Sequence, residues 1–80
     1  MNGFAREFTY DDNQYQIVRS TGSSIFQIYA RIQGIDDKMT FGHEVYNDRS
    51  LTDLEAFDLI RRYLIGDIKY DDYEAAFIVM

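Results

Sequence analysis

Paired carboxylates are the residues of this chain whose type and spacing best suit chemistry. Asp11-Asp12, Asp36-Asp37 and Asp71-Asp72 are adjacent pairs, and Asp67 and Glu74 bracket the last of them. Metal binding is what such pairs suggest first. The segment Asp67-Ile68-Lys69-Tyr70-Asp71-Asp72 departs from the calcium-loop pattern, with no central glycine and no Glu at the twelfth place. A magnesium site made of turn carboxylates is the enzymatic option left. His43 is the only histidine and cysteine is absent, so zinc lacks a ligand set. Alternating with Phe41 and Val45, His43 is expected to pack against a strand face rather than to catalyse. Ser20, Ser23, Ser24 and Ser50 lie in no strand–elbow–helix signature and have only His43 as a base. The five glycines stand singly and build no phosphate-cradling loop. The expectation is a protein that is not an enzyme, with no cofactor and no metal.

Charge narrows the partners. Fourteen acids face eight bases, for a net charge of −6. The excess sits in the second half: residues 1–40 hold five acids against four bases, residues 41–80 nine against four. With a pI near 4.4, direct binding to nucleic acid or to an anionic membrane is disfavoured, since phosphate recognition needs surplus Lys and Arg. A basic protein surface is the natural complement.

A chain of 80 residues is expected to form a single domain, residues 1–80, with a thin core. At 46% hydrophobic and 16% aromatic, it is far from the composition of a disordered segment. Met1 to Glu7 has no apolar run of the signal-peptide kind, and nowhere is there an apolar stretch of about 20 residues. A soluble, cytoplasmic protein is therefore expected. Lacking disulfides, so small a domain relies on packing or on an oligomeric partner.

The elements that must position these residues change period midway. Phe4–Tyr10, Gln14–Ser20, Ile25–Gln33 and Met39–Tyr46 alternate as strands, separated by Asp11-Asp12-Asn13, Thr21–Ser24 and Gly34–Lys38. Thr52 and Glu55 fit a capping box. Leu54, Phe57, Ile60 (or Arg61) and Leu64 follow at helical spacing, and Gly66 is placed to end a helix over 53–65. Asp71 and Glu74 ahead of Ala75-Ala76 favour a short second helix, although Phe77-Ile78-Val79 has strand character. The fold class expected is α+β: a four-stranded antiparallel β-meander followed by one long and one short helix packed on one face.

In such a meander the first and third turns share one end of the sheet. A helix of about 13 residues spans roughly 20 Å and returns the chain toward that end. Asp11, Asp12, Asp36, Asp37, Asp67, Asp71, Asp72 and Glu74, with Tyr70 and Tyr73 as aromatic anchors, would then make an acidic partner-binding rim. Asp also favours turns and caps for local reasons, so each pair has a structural reading too. Opposite the apolar side of the third strand, Gln27, Tyr29 and Arg31, joined by Tyr15 and Arg19, form an alternative sheet-face contact.

In profile (small, acidic, without Cys or a catalytic set) the chain is similar to small acidic inhibitors carried by phages and mobile elements, such as DNA-mimic anti-restriction and anti-CRISPR proteins. That resemblance implies carboxylates standing in for nucleic-acid phosphates on a basic, nucleic-acid-binding partner. The alternative is an accessory or regulatory module that binds another protein, or itself as a homodimer, through the Tyr/Arg sheet face.

Overall fold

The computed structural model describes residues 2–80. Four seven-residue strands, β1 (Phe4–Tyr10), β2 (Asn13–Arg19), β3 (Ile25–Arg31) and β4 (Thr40–Tyr46), are followed by α1 (Asp53–Leu64), α2 (Tyr70–Ala76) and a two-residue β5 (Ile78–Val79). The sheet is antiparallel throughout, in the order β1-β2-β3-β4-β5. The class is therefore α+β as expected. The tail is both helix and strand: after α2 the chain adds β5 to β4, pairing Val79 with Val45 and Ile78 with Tyr46.

Local chemistry explains the turns. Asp11 and Asp12 make a two-residue hairpin with φ of 50° and 65°, the positive pair of a type I′ turn, which Asp tolerates better than most residues. In the β3–β4 loop the Asp36 carboxylate accepts the Ile32 amide at 3.0 Å, and the Asp36 amide donates to the Ile32 carbonyl at 3.0 Å. The capping box forms as expected: Glu55 N–H donates to Thr52 Oγ1 and Thr52 N–H to Glu55 Oε1. At the other end of α1, Gly66 at φ 81° allows a Schellman closure, in which Asp67 N–H reaches the Arg62 carbonyl and Gly66 N–H that of Tyr63.

One face of the sheet carries the core. Ile17, Phe26, Ile28 and Val45 cluster with Ala56 and Ile60 of α1, Tyr73 of α2 and Phe77. Two expectations about phase are corrected here. First, α1 buries a stripe running through Asp53, Ala56, Phe57, Ile60, Tyr63 and Leu64, which leaves Leu54 57% exposed. Asp53 sets that phase, because it is ion-paired to buried Arg19. Second, β4 does not keep one alternation. Its register against β3 shifts after His43–Ile28, so that Phe41 pairs with Tyr29. Gly42 lies at this irregularity, where an added Cβ would stand 3.2 Å from the Ile28 carbonyl. His43 and Val45 thus face the core, whereas Phe41 crosses to the other side.

Candidate functional site: the acidic end and the open sheet face

The acidic end is built by topology. Hairpin β1–β2 and loop β3–β4 sit at the same end of the sheet, as successive antiparallel pairing demands. A direct link joins them: the Gln33 amide donates to Asn13 Oδ1 at 2.9 Å. Asp11 and Asp12 therefore lie beside the loop that carries Asp36 and Asp37. Asp11, Asp12 and Asp37 are exposed, and Asp36 is partly covered by its own loop contacts.

The remaining acids are placed differently. Asp67 is ion-paired with Arg62 at 2.9 Å, which raises the guanidinium pKa and cancels part of the local charge. Asp71, Asp72 and Glu74 are exposed on α2, with the first two in its opening turn beyond the cap position held by Lys69. Among the described residues no hydrogen bond or ion pair ties Asp67, Asp71, Asp72 or Glu74 to either Asp turn. Tyr70 is exposed, and its hydroxyl pKa is raised by partial desolvation and then by the Glu74 charge.

Tyr73 is a correction: it is no surface anchor. Its ring is fully buried, stacked on Tyr63 at 4.1 Å, edge-on to His43 and Phe77, with its hydroxyl 2.9 Å from His43 Nε2. Burial pushes that hydroxyl's pKa up and the His43 pKa down, so both are held neutral. For His43, a folded-state pKa below the ordinary 6.5 means that the unfolded chain binds the proton more readily. Its contribution to stability is complete above pH 6.5 and is lost as pH falls below it. The melting temperature should therefore drop between pH 7.5 and 5.5, and His43→Gln should flatten that slope. Equal slopes for the two proteins would contradict this assignment.

Tyr15 and Arg19 are the second correction. In β2 they alternate with Ile17 and pair across to Ala30 and Phe26, so they lie on the helix-covered side and are buried. Tyr15 stacks on Phe8 at 5.0 Å. Sequence alternation alone gave the spacing of β2 but left open which of its two faces meets the core.

The open face holds Gln27, Tyr29 and Arg31 of β3 as expected, but with other neighbours. Pairing sets out rows across the strands: Thr9–Gln14–Arg31, Glu7–Gln16–Tyr29–Phe41, Ala5–Val18–Gln27–Glu44 and Ile25–Tyr46–Ile78. Polar cross-links run along two of them: Gln16 donates to Glu7 at 3.3 Å and Arg31 to Gln14 at 3.0 Å. Tyr29 meets Phe41 edge-on at 5.6 Å. None of these residues joins the core cluster. The signal for Phe41 and Tyr46 was present in the sequence, but the bulge that assigns Phe41 its face was not.

Two surface hollows accompany these features. One of about 360 Å³ lies between Arg19, Ser23, Asn47 and Asp53; another of about 240 Å³ lies between Phe8, Gln14, Tyr15 and Met39. The first offers no free cation to a ligand, since Arg19 already donates to Asp53 and to the carbonyls of Asn2, Ser20 and Ser23. Among the described residues, no three His, Cys, Asp or Glu side chains converge as metal ligands, and no helix is long and apolar enough to cross a membrane. Set against family models, curated proteins and solved structures, the chain matches none of them.

Proposed function

We propose that this chain is a non-catalytic, protein-binding inhibitor whose acidic end occludes a basic, nucleic-acid-binding protein, in the manner of anti-restriction or anti-CRISPR proteins. The observation that carries the reading is the union of the Asp11-Asp12 hairpin with the Asp36-Asp37 loop through the Gln33–Asn13 hydrogen bond. Exposed carboxylates brought together from distant segments attract the cationic groove that phosphates would otherwise fill. Asp71 and Asp72 of α2 are exposed carboxylates that the same partner could also meet, and Tyr70 is an exposed aromatic beside them.

Capture from bacterial lysate tests this. The tagged protein should retain a basic nucleic-acid-binding protein that elutes as salt rises, because exposed charge pairs are screened. Combining Asp11→Asn and Asp12→Asn with Asp37→Lys should abolish that capture. Asn also tolerates positive φ, so the hairpin keeps its turn while losing charge. Capture that survives both salt and these substitutions would overturn the reading.

A second reading is favoured by one specific observation. Phe41 stands beside Tyr29 on the open face, so that face presents aromatic surface as well as Arg31. An accessory module binding through Tyr29, Arg31 and Phe41 would resist salt and lose its contact on Tyr29→Ala with Arg31→Ala.

A further inference from the structure

We infer that the open face of the sheet is the docking surface for a second copy of this chain. The inference gives the sheet-face reading its occupant and rests on that reading alone. The acidic-end proposal stands or falls separately.

The large apolar side chains exposed on this face lie on β4, β5 and the residue after β5. Phe41, Tyr46, Ile78 and Met80 keep 50%, 40%, 48% and 53% of their surface in water. Tyr46 is flanked in its row by Ile25 and Ile78, and the Met80 amide donates to the Glu44 carbonyl, continuing the same edge. Taking full side-chain areas of roughly 150–250 Å², these four alone leave on the order of 350 Å² of apolar surface uncovered. That is the size of the largest apolar patch on a typical monomer, one often put to functional use.

Size and charge together select the occupant. Strands about 4.8 Å apart with about 3.3 Å per residue make the four long strands a surface of roughly 20 by 23 Å. A standard-size complex buries about 800 Å² per partner, more than the roughly 460 Å² plan area of this face, so a full-size contact must use all of it and reach past its edges. An extended peptide would cover one or two strands; an equal sheet covers them all. The face also holds only Glu7, Glu44 and Arg31 as charged groups, a net of −1, which leaves −5 of the total of −6 on the other surfaces. Two copies meeting here keep their acidic surfaces outward. A basic partner would find its counter-charge elsewhere. A two-fold axis crossing the strands between the Glu44 and Phe41 rows sets Glu44 against the second copy's Phe41 and Glu7 against its Ala5. No two carboxylates then oppose one another across the two-fold.

Sedimentation velocity on the full chain, from about 10 µM to about 1 mM, reads this directly. The expected result is a dimer of 9.5 kDa chains. Its dissociation constant should fall as salt rises, because salt screens the repulsion between two acidic copies. That trend is opposite to the salt response of the acidic-end contact, so the two proposals fail independently. Phe41→Lys and Tyr46→Lys should each weaken the dimer at least about tenfold. Leu54→Lys, an equally exposed apolar site on α1, should leave it unchanged. Amide shifts of the unsubstituted protein on dilution give a readout that needs no variant; they should cluster at Tyr29, Phe41, Tyr46 and Ile78. A monomer at every concentration, a dimer indifferent to both substitutions, or dilution shifts on another surface would each overturn the inference.

Discussion

Tyr73→Ala is expected to remove about 3–5 kcal/mol of stability, the usual cost of truncating a fully buried aromatic. In an 80-residue domain that is much of the total, since stability commonly runs to roughly 0.05–0.15 kcal/mol per residue. The reason is the position of the ring. It fills the space between α1, β4 and the end of α2, stacked on Tyr63 at 4.1 Å and set edge-on to His43 and Phe77. Its loss would leave a cavity lined by three aromatic neighbours and orphan the His43 nitrogen that now has a hydroxyl 2.9 Å away. Tyr73→Phe separates the two effects: it keeps the packing and should cost about 0.5–1.5 kcal/mol for the lost hydrogen bond. Tyr70→Ala, at an exposed ring three residues earlier, should stay within about 0.5 kcal/mol of the unsubstituted protein. Urea midpoints for the three variants check the order. A Tyr73→Ala midpoint close to that of Tyr70→Ala would mean that Tyr73 is not in the core.

The same pair shows how far the sequence could be read. Strand periods, turn residues, the Thr52–Glu55 cap and the Gly66 stop are local signals, and each appears where local chemistry places it. The shared end of the two Asp turns follows from meander topology, so it was legible once four consecutive strands were recognised. Face assignment was not. Phe4–Tyr10 and Gln14–Ser20 alternate, but each has aromatic and charged residues in the same set, and alternation says nothing about which set the helices will cover. Arg19 lies in line with Tyr15 and Ile17, and its burial depends on Asp53, 34 residues away. Tyr70 and Tyr73 both flank Asp71-Asp72 in sequence, yet one turn of helix separates an exposed ring from a buried one. The bulge at Gly42, which turns Phe41 outward, is written only in the close approach of two strands. Non-local packing thus decided every residue whose face was read differently from sequence, and local signals decided most of the rest.

Arg19→Ala should lower the urea midpoint clearly, and well beyond Arg61→Ala. The guanidinium is 3% exposed, yet every nitrogen has a partner. Nε and Nη2 grip the two Asp53 oxygens at 2.8 and 2.9 Å, Nη2 also reaches the Asn2 carbonyl, and Nη1 donates to the carbonyls of Ser20 and Ser23. One side chain thus ties the segment before β1, the β2–β3 turn and the start of α1. Truncation strands three carbonyls and takes the partner from a half-exposed carboxylate, and unmade hydrogen bonds at covered carbonyls carry most of the cost. Arg61→Ala, which breaks the exposed Arg61–Asp58 pair, is the matched control and should change little. Acid gives an independent check. The bidentate hydrogen bond from Arg19 holds the Asp53 carboxyl below its ordinary 3.8. Its contribution is therefore fully present above pH 3.8 and is lost as pH falls below that value through the folded-state pKa. In Arg19→Ala that acid-dependent loss should shrink, because the guanidinium that holds the Asp53 carboxyl down is gone. If Arg19→Ala matches Arg61→Ala in urea and keeps the unsubstituted protein's acid profile, Arg19 is no anchor of the fold and its availability to a partner must be reconsidered.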